Sequence, residues 1–391
     1  MLNSLRSSSI YKPRSGTVFR RLVAEHPLIP TPHKETIKNR TATANMHSIR
    51  AFFSTLLLAS YSTAIPTTPV SAPTFKTLDN VPGTTSLENI AIKQSGDILV
   101  TSVSSNVLYQ ISHNSSYPPT AVATIPNATS LLGITELEKD VFYVIASQIS
   151  GIVAAPGSNS VWRVDLRSPC SCANGTAMPQ DILSHVAQFA DAGLLNGMSR
   201  LSADDSAHLL LADSAAGAIL KLNVYTGAHE VVVRDPSMDP HLDGLGVGVN
   251  GIHVVGTTLY YTSLDAGTFS AIPICPETGL PIGPVETIVG GIAFGDDFAI
   301  LPTGDKALIT NNGEFTLTLV DIAGKSSRIA ANSILLQAIS AVAFGHESGG
   351  LAPVYVTASA ATGGNATVGS VVYAEVGSRK GEYFVGGSKF E

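Results

Sequence analysis

Charge is scarce in this 391-residue chain, because Asp, Glu, Lys and Arg make up only 14% of it, against about 25% in an average soluble protein. The formal net charge of -7 leaves no basic stripe of the kind that binds nucleic acid. Apolar residues reach 44%, and Gly, Val, Thr, Ser and Ala are abundant. This composition is typical of short strands joined by tight turns.

Cysteine is also rare: the chain has three, Cys170, Cys172 and Cys275. Their odd number and their spacing fit no four-ligand zinc pattern. Two states stay open: one disulfide to Cys275, or three unpaired thiols. The chain likewise lacks a Gly-x-Ser-x-Gly elbow and a His-Glu-x-x-His motif, so two common hydrolase signatures are absent.

Long hydrophobic runs are missing near the N terminus. The apolar run at residues 51–59 is too short to cross a bilayer. It follows a basic start at Met46 and precedes small residues at 62–64, so residues 46–64 are predicted to be a secretory signal peptide. Residues 1–45, with eight Lys or Arg and two acids, resemble a mitochondrial transit peptide. We interpret them as a leader or gene-model extension, with Met46 as the true start and residues 65–74 as a linker.

Four Asn-x-Ser/Thr sequons support the same localisation, which is the secretory pathway or the extracellular space. Each sequon lies in a segment rich in Gly, Ser or Pro between predicted strands, where a glycan is tolerated. The predicted glycosylation sites are Asn114, Asn127, Asn174 and Asn365.

One pattern recurs along the rest of the chain: a small polar opener, an apolar strand, a Gly or Asp turn and a second apolar strand. Residues 249–262, VNGIHVVGTTLYYT, are the clearest copy. The residues taken as equivalent lie 44 to 64 positions apart: Ile90, Ile134, Met198, Ile252, Phe298 and Val342. A period in this range, with several short strands per unit, is typical of a β-propeller. The predicted fold is all-β: a six-bladed β-propeller of four-stranded antiparallel blades over residues 75–391.

The predicted blades cover residues 85–130, 131–190, 191–247, 248–291, 292–336 and 337–376. Residues 75–78 are predicted to form a lone strand that completes the last blade and closes the ring. A short helix is predicted over residues 181–190. An antiparallel sandwich is the alternative fold, but six similar copies favour radial closure.

The openers are the candidate functional residues, because innermost propeller strands run along the channel and begin at one mouth. They are Glu88, Asn89, Gly133, Asn196, Asn250, Asp296, Asp297 and Ala341. Their carboxylate and amide oxygens suit a hard cation such as calcium or magnesium. Asn-Gly and Asp-Asp are also common turn chemistry, so a binding site and a purely structural role both stay open.

The openers carry a family resemblance. Four motifs are ENIA (residues 88–91), LNG (195–197), VNGI (249–252) and GDDF (295–298). On these motifs, residues 75–376 resemble fungal secreted six-bladed propellers of the senescence marker protein-30/gluconolactonase-like superfamily. Lactonases of that superfamily bind one divalent cation through Glu, Asn and Asp side chains. The resemblance implies a metal set of Glu88, Asn196, Asn250 and Asp297. Asn250 stands where an Asp is expected, and Asp297 is the candidate substitute.

The openers are most similar to those of a subset of these propellers that contains hetero-Diels-Alderases of secondary metabolism. That resemblance implies a pericyclase that holds two apolar partners in reacting geometry and aims hydrogen-bond donors at developing oxygen charge. The catalytic candidates are Asn196, Asn250 and Asp297. The substrate-binding candidates are Glu88, Asn89, Tyr143, His253, Tyr261 and Phe298.

Three functions follow in order of preference: a pericyclase without a cofactor, a lactonase or hydrolase with one divalent cation, and a non-catalytic binding propeller. For all three we expect a small-molecule ligand, no nucleic acid or membrane partner, and a monomer or weak homodimer.

Overall fold

The computed structural model describes residues 74–167, 182–346, 351–379, 382–385 and 388–389. The predicted leader, signal peptide and nearly all of the linker fall outside these ranges, as do Cys170, Cys172 and Asn174. Within the described ranges the chain forms six antiparallel sheets arranged as a six-bladed β-propeller. The fold predicted from the repeat is therefore confirmed. None of the described helices has the length and hydropathy that a membrane crossing needs.

Each of the first five blades contains four strands in chain order from the channel outward. In blade 1 they are Ile90–Ile92, Ile98–Val100, Val107–Ile111 and Thr120–Thr124. In blade 2 they are Ser130–Glu138, Val141–Ser147, Asn159–Asp165 and Leu183–Phe189, with a small hairpin of Ile149–Ser150 and Val153–Ala154 after the second strand. In blade 3 they are Leu195–Arg200, His208–Asp213, Ala218–Asn223 and His229–Arg234, followed by the 3-10 turn Pro236–Met238.

The remaining blades follow the same order. In blade 4 the strands are Val249–Val255, Thr258–Ser263, Thr268–Pro273 and Glu286–Gly290. In blade 5 they are Gly295–Ile300, Lys306–Asn311, Thr316–Asp321 and Ser326–Asn332. Blade 6 contains Val342–Phe344, Leu351–Gly363 and Ala366–Arg379, extended by Glu382–Val385 and Ser388–Lys389.

The N-terminal strand closes the ring. Lys76–Val81 pairs antiparallel with Ala366–Arg379, the third strand of blade 6. Strands from both ends of the described chain thus share one sheet, as predicted from residues 75–78. The pairing covers an edge that a propeller would otherwise leave open.

The helix predicted over residues 181–190 is wrong. Leu183–Phe189 is the fourth strand of blade 2 and pairs with Asn159–Asp165. Ala187 and Phe189 are buried while Gln188 between them is exposed, which is the period-2 alternation of a strand.

The hydrophobic core consists of six clusters, and each takes residues from two neighbouring blades. The cluster between blades 6 and 1 joins Val371 and Tyr355 to Ile98 and Val100. Because every blade buries both of its faces against neighbours, the sheets form a ring rather than two layers. The sandwich alternative is excluded.

Strand direction determines which loops lie around the mouth. First strands run away from the mouth and second strands return to it. The connections between second and third strands, and those between blades, therefore lie on the mouth face. The connections between third and fourth strands lie on the opposite face.

Candidate functional site

The first strand of each blade contains a β-bulge at its opener. In blade 4, Asn250 and Gly251 oppose the single residue Thr262. In blade 5, Asp296 and Asp297 oppose Thr310 in the same way. Bulges re-aim side chains at strand ends. The paired residues around the ring are Glu88 with Asn89, Leu132 with Gly133, Asn196 with Gly197, Asn250 with Gly251, Asp296 with Asp297, and Ser340 with Ala341.

Threonine hydroxyls join one bulge to the next. Four second strands carry a Thr whose hydroxyl donates to the first bulge carbonyl of the following blade. The bonds run from Thr101 to Leu132 (2.7 Å), Thr310 to Ser340 (2.8 Å), Thr357 to Glu88 (2.9 Å), and Thr262 to Asp296. These bonds fix the spacing of the ring, so the bulge side chains are held by the fold itself.

In blades 2, 3 and 4, a glycine at the second bulge position permits a close approach to the next blade. A Cβ on Gly133 would lie 2.4 Å from the carbonyl oxygen of Asn196, and one on Gly197 would lie 2.3 Å from that of Asn250. Real Cβ atoms do not approach a backbone oxygen so closely. The glycine of each Asn-Gly pair therefore allows neighbouring blades to pack closely. The asparagine is the member of the pair that can contact a ligand at the mouth.

Asp296 is the centre of a buried polar cluster. One of its carboxylate oxygens accepts a hydrogen bond from Asn250 Nδ2 and the other from Asn312 Nδ2, both at 2.8 Å. Burial raises the pKa of Asp296 to about 7, and the nearby charge of Asp297 adds to this, while the bonds from Asn312, Asn250 and Ser340 oppose it. Asp296 is thus partly protonated at neutral pH.

Asp297 connects three blades. Its Oδ2 accepts from Asn89 Nδ2 of blade 1 at 3.0 Å. Its Oδ1 lies 2.9 Å from His253 Nε2 of blade 4 and accepts from the backbone N–H of Phe298 at 2.8 Å. The His253 side chain is 38% exposed, so the histidine is the accessible member of this group.

Glu88 is the third carboxyl group of the cluster. It keeps some accessible surface, yet protein surrounds it closely. Burial raises its pKa well above the usual range, and the charges of Asp296 and Asp297 raise it further, against a lowering hydrogen bond from Ser340. Like charges that share a buried site favour protonation of some members. The mouth therefore holds one acid group, Asp296, that is partly protonated near pH 7 and can then donate a hydrogen bond, and a second, Glu88, whose pKa is shifted in the same direction.

Other predicted residues occupy several environments. Asn196 is 8% exposed and lies in the bulge of blade 3. Tyr143 is buried in the core between blades 2 and 3. Tyr261 is buried between blades 3 and 4, where its hydroxyl lies 2.7 Å from Ser237 Oγ. Phe298 is fully buried, with the His253 ring edge-on at 4.7 Å.

Two side chains that donate hydrogen bonds to Asp296, those of Asn312 and Ser340, were not predicted from the sequence. Asn312 comes from the turn after a second strand, and Ser340 from the opener of blade 6, which was identified only by Ala341. The one available signal was position, because Ser340 precedes Ala341 as Asp296 precedes Asp297. No motif marks Asn312.

Three of the four predicted glycosylation sites lie in the described residues, and all three are accessible, as glycosylation requires. Asn114, Asn127 and Asn365 are exposed. Cys275 is partly buried, and its thiol donates to Glu277 Oε2 at 3.0 Å.

The resemblance noted in the sequence implies a divalent cation at the mouth, held by Glu88, Asn196, Asn250 and Asp297. The carboxylate and amide oxygens are of the type that hard cations prefer. Both oxygens of Asp296 and both of Asp297, however, already bond N–H donors or His253. In the described part of the chain, no three His, Cys, Asp or Glu side chains are grouped to hold a metal ion. As arranged, these four oxygens do not fit a cation.

A cleft of about 470 Å³ lies on the opposite face, between blades 6 and 1. It is lined by His113, Asn114, His346, Tyr355, Tyr373 and Glu375, among others. These residues belong to the far ends of their strands, so the cleft is separate from the mouth.

Comparison with known structures shows the class of fold. Regucalcin, a calcium-binding protein from Agrobacterium tumefaciens, matches with a TM-score of 0.52 at 17% identity, over 79% of this chain and 96% of its own. A luciferin-regenerating enzyme matches with a TM-score of 0.54 at 11% identity, over 77% and 95% of the two chains. At these identities the matches show the fold alone, which is that of a six-bladed β-propeller.

Two sequence relatives are more specific, and both are provisionally named hetero-Diels-Alderases. One, from Sarocladium schorii, is 26% identical over 248 residues, which are 58% of this chain and 60% of the relative. The other, from a Phoma species, is 24% identical over 312 residues, or 72% and 85% of the two chains. No protein-family model matches. The resemblance predicted from the openers is thus confirmed at the level of these distant relatives.

Proposed function

We propose that this protein is a pericyclase of the hetero-Diels-Alderase type, which binds an apolar, oxygenated small molecule at the mouth of the propeller channel. The observation that carries the proposal is the buried cluster of Glu88, Asp296 and Asp297 at the mouth, in which burial raises the pKa of Glu88 and raises that of Asp296 to about 7. The names of the two relatives support the same reaction type.

The chemistry requires no net transfer of protons or electrons. A conjugated C=C–C=O unit and an alkene C=C combine, two σ bonds form, and three π bonds become one in a dihydropyran ring. No leaving group or oxidant takes part. The protein must therefore hold the partners in contact and stabilise the partial negative charge on the carbonyl oxygen.

Glu88 and Asp296, in their protonated forms, are the proposed hydrogen-bond donors to that oxygen, together with the amide of Asn196. Asn250 positions the Asp296 carboxyl through its 2.8 Å bond. Asp297 positions His253 and Asn89. Loss of one preorganised donor of this kind lowers kcat by about 10²–10³.

The test uses an o-quinone methide released in solution from a phenolic precursor, with a terpene alkene as partner. The uncatalysed reaction gives a racemic product, so the enantiomeric excess reports turnover on the protein. We expect enrichment of one enantiomer, and we expect it to disappear in Asn250→Leu and Asn196→Leu. A racemic product with the unaltered protein contradicts the proposal.

A lactonase with one divalent cation is the second candidate, and the hard oxygen donors of the mouth favour it. Glu88→Gln separates the two functions, because glutamine keeps a neutral N–H donor but loses the negative ligand. A pericyclase retains its activity in Glu88→Gln and in the presence of a chelator. Lactone hydrolysis that both treatments abolish would support the alternative.

We also propose that the chain enters the secretory pathway and carries glycans at its exposed sequons, Asn114, Asn127 and Asn365. The pattern of residues 46–64 supports entry. N-terminal sequencing of secreted protein is expected to give a start near Ile65, and glycosidase treatment a lower mass. A start within residues 1–45 contradicts the proposal.

A further inference from the structure

Blade 5 has a phenylalanine where its neighbours use glycine. The turn before the third strand ends in Gly217 (φ 60°) in blade 3, in Gly267 (φ 61°) in blade 4 and in Phe315 (φ 57°) in blade 5. The positions are equivalent, because the Gly267 carbonyl accepts from Ile292 N at 2.9 Å and the Phe315 carbonyl from Ser333 N at 3.1 Å. This left-handed backbone suits glycine and strains a bulky residue.

A second phenylalanine in the same blade has the same strain. Phe294, with φ 48°, precedes Asp296 by two residues. Its carbonyl accepts from Asn312 N at 2.9 Å, as Leu194 and Gly248 accept at this position in blades 3 and 4. Neither Leu194 nor Gly248 has a positive φ.

Burial does not explain Phe294, which is 40% exposed. Ile334, next to Ser333, is 78% exposed on the same face. We call Phe294, Phe315 and Ile334 the blade-5 rim. Phe315 is partly buried. For Phe294, a strained backbone that packing does not require points to a functional constraint. The exposed apolar side chains of Phe294 and Ile334 beside a site are typical of a binding surface.

Phe294 connects the rim to the acid cluster through one residue. Asn312 links the two, because its backbone N–H bonds Phe294 and its side-chain amide bonds Asp296 at 2.8 Å. A ligand whose oxygen reaches the carboxyl groups has its hydrocarbon part near the rim.

We propose that the blade-5 rim is the subsite for the unsaturated hydrocarbon part of a neutral substrate. This inference rests on the proposed function and names its substrate class: an uncharged molecule with one oxygenated end and a flat or alkene-rich apolar body. Phenylalanine rings pack against such π systems in offset or edge-on geometry.

The test measures binding of the neutral fluorophore N-phenyl-1-naphthylamine, together with thermal stability. Phe315→Gly introduces the residue that blades 3 and 4 use, and Phe294→Asn introduces one that tolerates the left-handed region. We expect Tm to stay unchanged or rise, while the Kd of the probe increases about two- to tenfold in each variant. The matched control is Ile282→Ser, an exposed apolar residue on the opposite face (64% exposed), which should leave the Kd unchanged.

An unchanged Kd in folded Phe315→Gly and Phe294→Asn overturns the proposal, as does failure of the unaltered protein to bind the probe. If one variant does not fold, the other decides. Rim-dependent binding of the probe without cycloaddition supports the subsite and refutes the pericyclase. Cycloaddition with an unaltered KM in both variants supports the pericyclase and refutes the subsite.

Discussion

Replacement of Asp296 by asparagine tests whether the acid cluster destabilises the fold at neutral pH. Asp296 has a folded-state pKa of about 7, against an ordinary value of 3.8. Below pH 4 both folded and unfolded states hold the proton, so the group has no effect. Between about pH 4 and 7 the unfolded chain releases a proton that the folded chain keeps, and the free energy of unfolding falls as pH rises.

The magnitude follows from the difference of about three pKa units. At about 1.4 kcal/mol per unit, Asp296 removes up to about 4 kcal/mol of stability above pH 7. Asparagine abolishes this loss, although its own NH₂ then faces an amide donor of Asn250 or Asn312, at a cost of about 1–3 kcal/mol that does not depend on pH. The raised pKa of Glu88 gives a slope of the same sign, which the unaltered protein and the variant share.

The assay is urea denaturation at pH 5 and pH 8, with Asp243→Asn, an exposed aspartate, as the matched control. We expect the unaltered protein to lose about 2–4 kcal/mol more between the two pH values than Asp296→Asn does. Equal losses in the two proteins, within about 0.5 kcal/mol, would refute the reasoning.

Two further substitutions test the ring itself. Gly197→Ala places a Cβ 2.3 Å from the Asn250 carbonyl and should cost about 1–3 kcal/mol or more in urea denaturation. Gly290→Ala, which has open space, should cost almost nothing, and equal effects would contradict the packing argument. Thr262→Val leaves the Asp296 carbonyl without its hydroxyl donor and should cost about 1–3 kcal/mol. Thr262→Ser should retain most of that stability, and a loss as large as in Thr262→Val would argue against the bond.

The repeat predicted the fold because the same bulge is encoded by recognisable residues. Asn-Gly in blades 3 and 4 combines a polar side chain for the mouth with a residue small enough for the adjacent carbonyl. Glu88, Asp296 and Asp297 occupy the equivalent bulge positions of blades 1 and 5. Alignment of the openers was therefore enough to predict that they lie together at the channel mouth.

Side-chain direction was not predictable where the period-2 pattern is absent. All seven residues of Val141–Ser147 are buried, so the sequence cannot show that Tyr143 faces the core between two blades. The predicted helix over residues 181–190 failed for a related reason, since an edge strand needs only one buried face. Asn312 donates a hydrogen bond to Asp296 from a turn, and no local sequence pattern predicts that contact.

The most direct test of the account is infrared spectroscopy of the carboxyl groups across pH 5 to 9. We expect a C=O band of protonated carboxyl that persists at pH 6, fades as the pH passes about 7, and is diminished in Asp296→Asn. Complete ionisation of every carboxyl group by pH 5 in the unaltered protein would contradict the claim that the mouth holds neutral acids ready to donate hydrogen bonds.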